Sequence, residues 1–404
     1  MGDYPEGRDL AQVRLIVVAH VSNFQTGTAN SVAMRPLLEH LRARGVEVRV
    51  VPSRRPSLWR RVTMALLYLI MRRSIVIGLS VDSAVKNAIV SEIWSALHDG
   101  RRVVVLFNRL HMAQWVTEST IRSFRENGCI FWLRAENVEN SILRQMGYRF
   151  ARDAERLERF EREVAQSVDH VWAVTSEDAD WFRPFAKAVS VQSIGMNCCI
   201  TRRRREGKLT VGFLGNFRWL PNVHALRNVS QVAEAVRAKV PGMTFEIAGR
   251  GMPAEIRRAL PGNCVYLGYV DDVEEFWERV SILLVPFEWS AGVKVKVLEA
   301  MAHGVCVLGT SSAFAGVPGS SGSDYVAVPD GPNVIGRCVD VLLEFWNRPE
   351  LADAIGDHAC RTISDECNSD SVYREMIGLL GTIGRQQRAS FGGRDVGGHE
   401  GWKQ

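Results

Sequence analysis

Long apolar runs are missing from this 404-residue chain. The most apolar early stretch, Met64 to Met71, is closed by Arg72-Arg73 and falls far short of the roughly 20 residues that span a bilayer. A membrane-spanning protein is therefore not expected, and a soluble or membrane-associated one is. The opening Met1-Gly2-Asp3-Tyr4-Pro5-Glu6 is polar and has no apolar signal core, so a cytoplasmic location is expected. Paired cysteine spacing is missing too. Eight cysteines occur, with no Cys-x-x-Cys and no histidine at zinc-ligand spacing. Most lie among apolar neighbours, as in Val305-Cys306-Val307, and read as reduced core residues. There is no short-period repeat and no nucleic-acid-binding motif, so no nucleic-acid partner is expected. Nor is charge strongly one-sided: 50 Lys and Arg stand against 45 Asp and Glu, a formal net charge of +5. That mild excess points only weakly to an anionic partner such as a phosphate or a lipid head group.

What is present is alternation. Val13–Val18 reads as a buried strand. A loop with Gly27 follows, then Met34, Leu37, Leu38 and Leu41 at helical spacing, with Gly45 at the helix end. Pro36 fits that helix only in its first turn. Further strands are expected at Val46–Val51, Val103–Phe107, Cys129–Leu133 and His170–Val174. The run Arg202-Arg203-Arg204-Arg205 suits a solvated linker, after which the pattern restarts: Leu209–Leu214, Thr244–Ala248, Val265–Leu267, Ser281–Val285 and Val305–Leu308. Strands separated by helices imply parallel sheets with right-handed crossovers. The chain reads as α/β, with two Rossmann-like domains, residues 1–205 and 206–385, facing each other across a cleft. The last helices are placed to pack back on the first domain, and the Gly-, Arg- and Gln-rich tail 386–404 is expected to be disordered. Ligands of such sheets bind beyond the carboxyl ends of the strands, which here means the cleft.

The most informative segment is Ser290-Ala291-Gly292-Val293-Lys294-Val295-Lys296-Val297-Leu298-Glu299-Ala300-Met301-Ala302-His303-Gly304. A glycine loop runs into a helix whose free N–H groups and dipole attract phosphate. Lys294 and Lys296 add two cations at that end, and Glu299 lies one turn on. On spacing alone, Lys296 and Glu299 also fit a surface ion pair.

Gly292-x-Lys294-x-Lys296-Val297-Leu298-Glu299-Ala300-Met301-Ala302-x-Gly304, followed by Val305-Cys306-Val307-Leu308-Gly309-Thr310, resembles the donor-site signature of glycosyltransferase family 4. The resemblance is to a bacterial polysaccharide sugar-transferase subgroup, and the fold it implies is GT-B. It extends to Phe213–Val223, Ile247–Gly251, Leu267–Asp272, Leu133–Glu139 and Ala173–Ala179, over roughly residues 12–375. It implies retaining transfer of a sugar from a nucleotide-diphosphate sugar to a glycan or lipid-linked acceptor in envelope polysaccharide assembly, without a bound metal or other cofactor. Lys296, with Lys294, is implied to neutralise the leaving diphosphate, and Glu299 to hold the donor ribose. Gly27, Gly215 and Gly292 are implied to let backbone approach the donor.

The chain departs from the broad family at three places. The first of its two glutamates falls at Ala291, and its Arg and Lys fall at Asn216 and Asn222, so the diphosphate contacts are expected on the lysines. The alternative reading is a catalytically inactive partner of the same fold that binds nucleotide-sugar or glycan. His111 and His20, each after a strand, are candidates for a general base or acceptor contact. Asp178-Ala179-Asp180 reads as helix-cap residues, not a metal clamp. His303 reads as a helix C-terminal residue. Finally, Arg54, Arg55, Arg60, Arg61, Arg72 and Arg73 surround Leu58, Trp59 and the Met64–Met71 run. This segment suits either peripheral contact with an anionic membrane or a core helix with charged ends.

Overall fold

The computed structural model describes residues 7–20, 29–53, 57–70, 73–79, 83–117, 119–145, 147, 151–196, 209–288 and 292–391. Gly27, Ala291, the Arg202–Arg205 run, and Arg54, Arg55 and Arg72 lie outside them, as do Cys198 and Cys199.

Two parallel six-stranded sheets form the two domains. The first holds β1 (Val13–His20), β2 (Glu47–Ser53), β3 (Arg102–Asn108), β4 (Ile130–Ala135), β5 (His170–Ala173) and β6 (Val189–Val191), in the order β2-β1-β3-β4-β5-β6. The second holds β7 (Thr210–Leu214), β8 (Thr244–Ala248), β9 (Cys264–Gly268), β10 (Ile282–Val285), β11 (Cys306–Thr310) and β12 (Val326–Val328), in the order β12-β11-β10-β7-β8-β9. Central strands are buried on both faces, which is why Leu15–Ala19 of β1 and the whole of β10 read as unbroken apolar runs rather than alternating ones. The two strands not expected from sequence, β6 and β12, are three-residue edge strands with only one neighbour each.

One expectation fails locally. Pro36 sits well inside the helix Ala29–Ala43, not in its first turn. Proline removes one intrahelical hydrogen bond there. Met34, Leu37, Leu38 and Leu41, buried against β1 residues Leu15 and Val17, hold the helix in spite of it.

The chain returns to the first domain at its end. Met376, Ile377 and Leu380 of the final helix, Arg374–Phe391, are buried with Val13, Leu15 and Val17. Gly384 lets that helix touch the Asp9 backbone, since a Cβ there would lie 2.0 Å from the Asp9 carbonyl oxygen. The helix continues to Phe391, past the expected start of a disordered tail at residue 386, because an apolar stripe anchors its first three turns. Five of the six described cysteines are buried.

Candidate functional site

Each sheet reverses strand order once, and crevices open at such switch points. In the first sheet the switch lies between β1 and β3. His20 ends β1, and Arg109 and His111 follow β3. In the second sheet it lies between β7 and β10, so Gly215 and the loop leading to Lys294 flank it. Loops from both carboxyl edges meet. A Cβ on Gly292 would stand 2.6 Å from the Glu136 carbonyl oxygen, and one on Gly316 would stand 2.5 Å from the Thr175 methyl carbon. Gly292 is at φ +63, so glycine is required twice, by backbone conformation and by contact.

The helix Val295–Ala302 starts at this contact. Lys294 is its N-cap, no side chain caps it, and its first turn holds no acidic residue. Two lysines therefore add to the positive end of the helix dipole rather than offset it. Lys296 is not half of a surface ion pair. Its Nζ donates to Asn222 Oδ1 at 3.0 Å and lies 5.0 and 5.2 Å from the Phe213 and Phe287 ring centres. Burial, and then Lys294, lower its pKa to about 7, while Glu299 opposes that shift. Burial lowers Lys294 to about 8, against the field of Asp178 from the other domain. Glu299 is raised to about 8 by burial and Glu274, with Lys296 opposing. The helix start thus holds cations that burial disfavours and that an anion would favour.

Asn222 also donates Nδ2–H to the Asn216 carbonyl at 3.0 Å, and the Asn216 carboxamide accepts from the Arg218 N–H. The two asparagines shape the turn after Gly215 and hold Lys296. Gly215 itself faces the Asn222 carboxamide, 3.2 Å from where its Cβ would be.

The first domain contributes a charged group that sequence reasoning did not single out. Arg109 pairs with the Glu136 carboxylate, and Arg134, with no exposed surface, approaches it at 3.4 Å. Asn108 Nδ2 donates to Glu136 at 3.3 Å. Burial alone would raise the Glu136 carboxyl, yet the two arginines hold it below its usual range. Arg109 sits at φ 78, the one described non-glycine residue at positive φ, a strain that surroundings must hold in place. The signal available was Arg134-Ala135-Glu136-Asn137 directly after a strand, but strand β3 had to be placed beside it first.

His20 lies near enough for its charge to add, after burial and Arg109, to the lowering of the His111 pKa. Burial first, then Arg109, lowers the His111 imidazole to about 3, so it is neutral at physiological pH. Asp178 belongs to a cap: its N–H donates to the Thr175 hydroxyl at 3.0 Å, and its carboxylate accepts from that hydroxyl and from the Val138 N–H. His303 caps the helix C-terminus, with Nδ1 2.6 Å from the Glu299 carbonyl oxygen and Nε2 against Glu274. No group of three His, Cys, Asp or Glu able to hold a metal ion occurs among the described residues. No described helix is long and apolar enough to cross a membrane.

Residues 208–344, which include β7 to β12 and the helix bearing Lys296, match the family described as glycosyl transferases group 1. That match lies within the second domain. Solved structures extend the likeness over both domains. Sucrose-phosphate synthase from Thermosynechococcus elongatus is 14% identical with a TM-score of 0.66, covering 94% of this chain and 100% of its own. HepE from Anabaena, solved with UDP and glucose, is 10% identical with a TM-score of 0.63, covering 91% and 99%. TarM is 14% identical with a TM-score of 0.57; 69% of this chain aligns, spanning 54% of TarM's length. At these identities the likeness is one of fold, and the fold is GT-B. No curated protein matches the sequence.

Proposed function

We propose that this chain is a retaining glycosyltransferase. It takes a sugar from a nucleotide-diphosphate sugar and passes it to a glycan or lipid-linked acceptor, on the cytoplasmic side, in cell-envelope polysaccharide or glycoconjugate assembly. The observation that carries the reading is the pair Lys294 and Lys296 at an uncapped helix start, half-buried where the carboxyl edges of the two sheets meet. HepE, of the same fold, has been solved with UDP-glucose, which supports a nucleotide-sugar donor here. As the bond from the sugar to the diphosphate breaks, negative charge grows on the leaving phosphate. Preorganised ammonium groups in a partly dry site stabilise that charge. Glu299 holds the donor ribose, and Gly215 and Gly292 let backbone approach the phosphates. The acceptor lies against the first domain, where His111, kept neutral, can accept a hydrogen bond from its hydroxyl, and the hydroxyl proton passes to the departing diphosphate as the new glycosidic bond forms. Closure of the domains excludes water and limits donor hydrolysis.

The test is thermal stabilisation by UDP-, GDP- and dTDP-sugars of the wild type and of Lys296→Ala and Glu299→Ala. A ligand that binds only the folded state raises the melting temperature. One nucleotide class should stabilise the wild type, and both variants should lose most of the shift; an undiminished shift in both removes these residues from the site. The second reading, an inactive partner that binds donor or glycan, draws on Asn216 and Asn222 standing where the family has basic residues. Sugar transfer or donor hydrolysis above background decides against it.

A further inference from the structure

The helix Leu58–Ile70 has its polarity reversed. A helix on a protein surface normally turns an apolar stripe inward and polar residues outward. Here Leu58, Val62, Leu66 and Leu69 recur at steps of four, four and three, and all face outward. Leu58 is 71% exposed, Trp59 83% and Leu66 55%. The polar residue on that face, Thr63, turns its hydroxyl back to the Trp59 carbonyl at 2.9 Å. The inward face carries Arg61, Met64 and Tyr68, all half-buried. Packing fixes this orientation. Gly78, in the short helix Ile75–Gly78, lies so close that a Cβ there would be 2.9 Å from the Met64 carbonyl oxygen and 3.0 Å from Tyr68 Cγ. The helix therefore cannot roll to hide its leucines.

Charge says what covers the exposed face. Between Glu47 and Asp82 the sequence holds seven arginines and no carboxylate. Among the described residues two carboxylates touch this region: Glu47 pairs with Arg49, and Asp153 is taken by the Ile75 N–H and the Ser74 hydroxyl. Arg73 is exposed, and a second copy would bring the same segment, rich in arginine and without a carboxylate of its own, against itself. A bilayer rich in anionic lipid offers both an apolar layer for Leu58, Trp59 and Leu66 and phosphates for the arginines. Tryptophan suits the boundary between the two, with an apolar ring and one polar N–H.

We propose that the helix Leu58–Ile70 is an interfacial anchor that lays its leucine and tryptophan face into an anionic membrane surface. The helix follows β2 at the carboxyl edge of the first sheet, the side on which the cleft opens. Anchoring there brings the acceptor half of the cleft to the lipid surface. The anchor rests on the surface of the first domain alone and stands or falls apart from the transfer reading.

The test is flotation of the full chain with phosphatidylcholine vesicles, with and without added phosphatidylglycerol, at physiological salt. Wild type should float with the anionic vesicles and little with the neutral ones. Trp59→Ser with Leu66→Ser should lose about tenfold in partitioning, and Arg72→Ser with Arg73→Ser should lose the anionic preference by about the same factor. An unchanged melting temperature and unchanged stabilisation by nucleotide-sugar show that each variant remains folded and that donor binding is separate. Wild type left with the unfloated protein, or variants that float as well as wild type, overturns the proposal. So does a wild-type dimer in sedimentation that the Trp59 and Leu66 changes convert to monomer without any lipid binding, which would make a second copy the occupant.

Discussion

The ammonium of Lys296 donates to the carboxamide oxygen of Asn222 at 3.0 Å, across 74 residues of chain. Asn222 stands where the broad family has a cation, and here it aims one. Replacing Asn222 by Ala removes a hydrogen bond to a charged group, worth about 1.5–3 kcal/mol. Nucleotide-sugar affinity should fall about tenfold or more. Asn222→Asp keeps the shape, places a carboxylate beside Nζ and should shift the pH dependence of binding to higher pH. A weakened Asn222→Ala whose pH profile matches wild type, with no shift in Asn222→Asp, would mean Asn222 serves only the turn.

Nucleotide binding should take up protons near pH 8. In the empty cleft Lys296 is lowered to about 7 and Lys294 to about 8, mainly by burial. A bound diphosphate favours their charged forms and draws protons from solution. Affinity for UDP should therefore decline as pH rises from 7 to 9. Stability of the free protein responds with the opposite sign. The unfolded lysine, with a pKa of 10.5, binds more protons than the folded Lys296 between pH 7 and 10.5, so this group's cost is full below pH 7 and relieved above it. Glu299, raised from 4.5 to about 8, works the other way: its cost grows as pH climbs from 4.5 to 8 and is full above 8. Calorimetry of UDP binding in buffers of different ionisation enthalpy measures the uptake. Zero uptake at pH 8, or equal uptake in Lys296→Ala, would falsify the assignment.

Gly292→Ala should separate the lobes. The new methyl meets the Glu136 carbonyl at 2.6 Å, and the backbone at φ +63 is strained for alanine by about 1–2 kcal/mol. Nucleotide-sugar stabilisation should drop sharply. Gly262→Ala, in open space at an ordinary φ, serves as the control and should change little. Equal behaviour of the two variants in a thermal-shift titration would show that the Gly292 contact is not needed for binding.

Ten of the twelve strands were legible: inner strands such as β10 are buried throughout and carry apolar runs, while the partly exposed edge strands β2 and β9 still hold apolar residues such as Val50, Val51, Tyr266 and Leu267. β6 and β12 were not, since three residues at a sheet edge leave no such run. The clustering of Lys294, Lys296 and Glu299 was legible because helical spacing alone sets it. Their surroundings were not. Asn222 reads in sequence as a missing cation, and only the pairing of β7 with β10 brings it to Lys296. Arg109 and Glu136 lie 27 residues apart and meet because β3 pairs with β4. Gly27, an expected donor contact, lies outside the described residues.

Tyr373 joins the end of the chain to the crossing between domains. Its ring is fully buried with Met376 and Trp172, and its hydroxyl accepts from the Gly195 N–H at 2.9 Å, just beyond β6. Tyr373→Phe keeps the ring and leaves that buried N–H unpaired, a loss of about 1–3 kcal/mol. For a chain this long that means a fall of a few degrees in Tm. The hydroxyl's bond is to Gly195 and not to a lysine of the helix start, so UDP affinity should be unchanged. A stable Tyr373→Phe with weakened UDP binding would reverse both expectations and mark the crossing as a lever on the cleft rather than a fastening of the final helix.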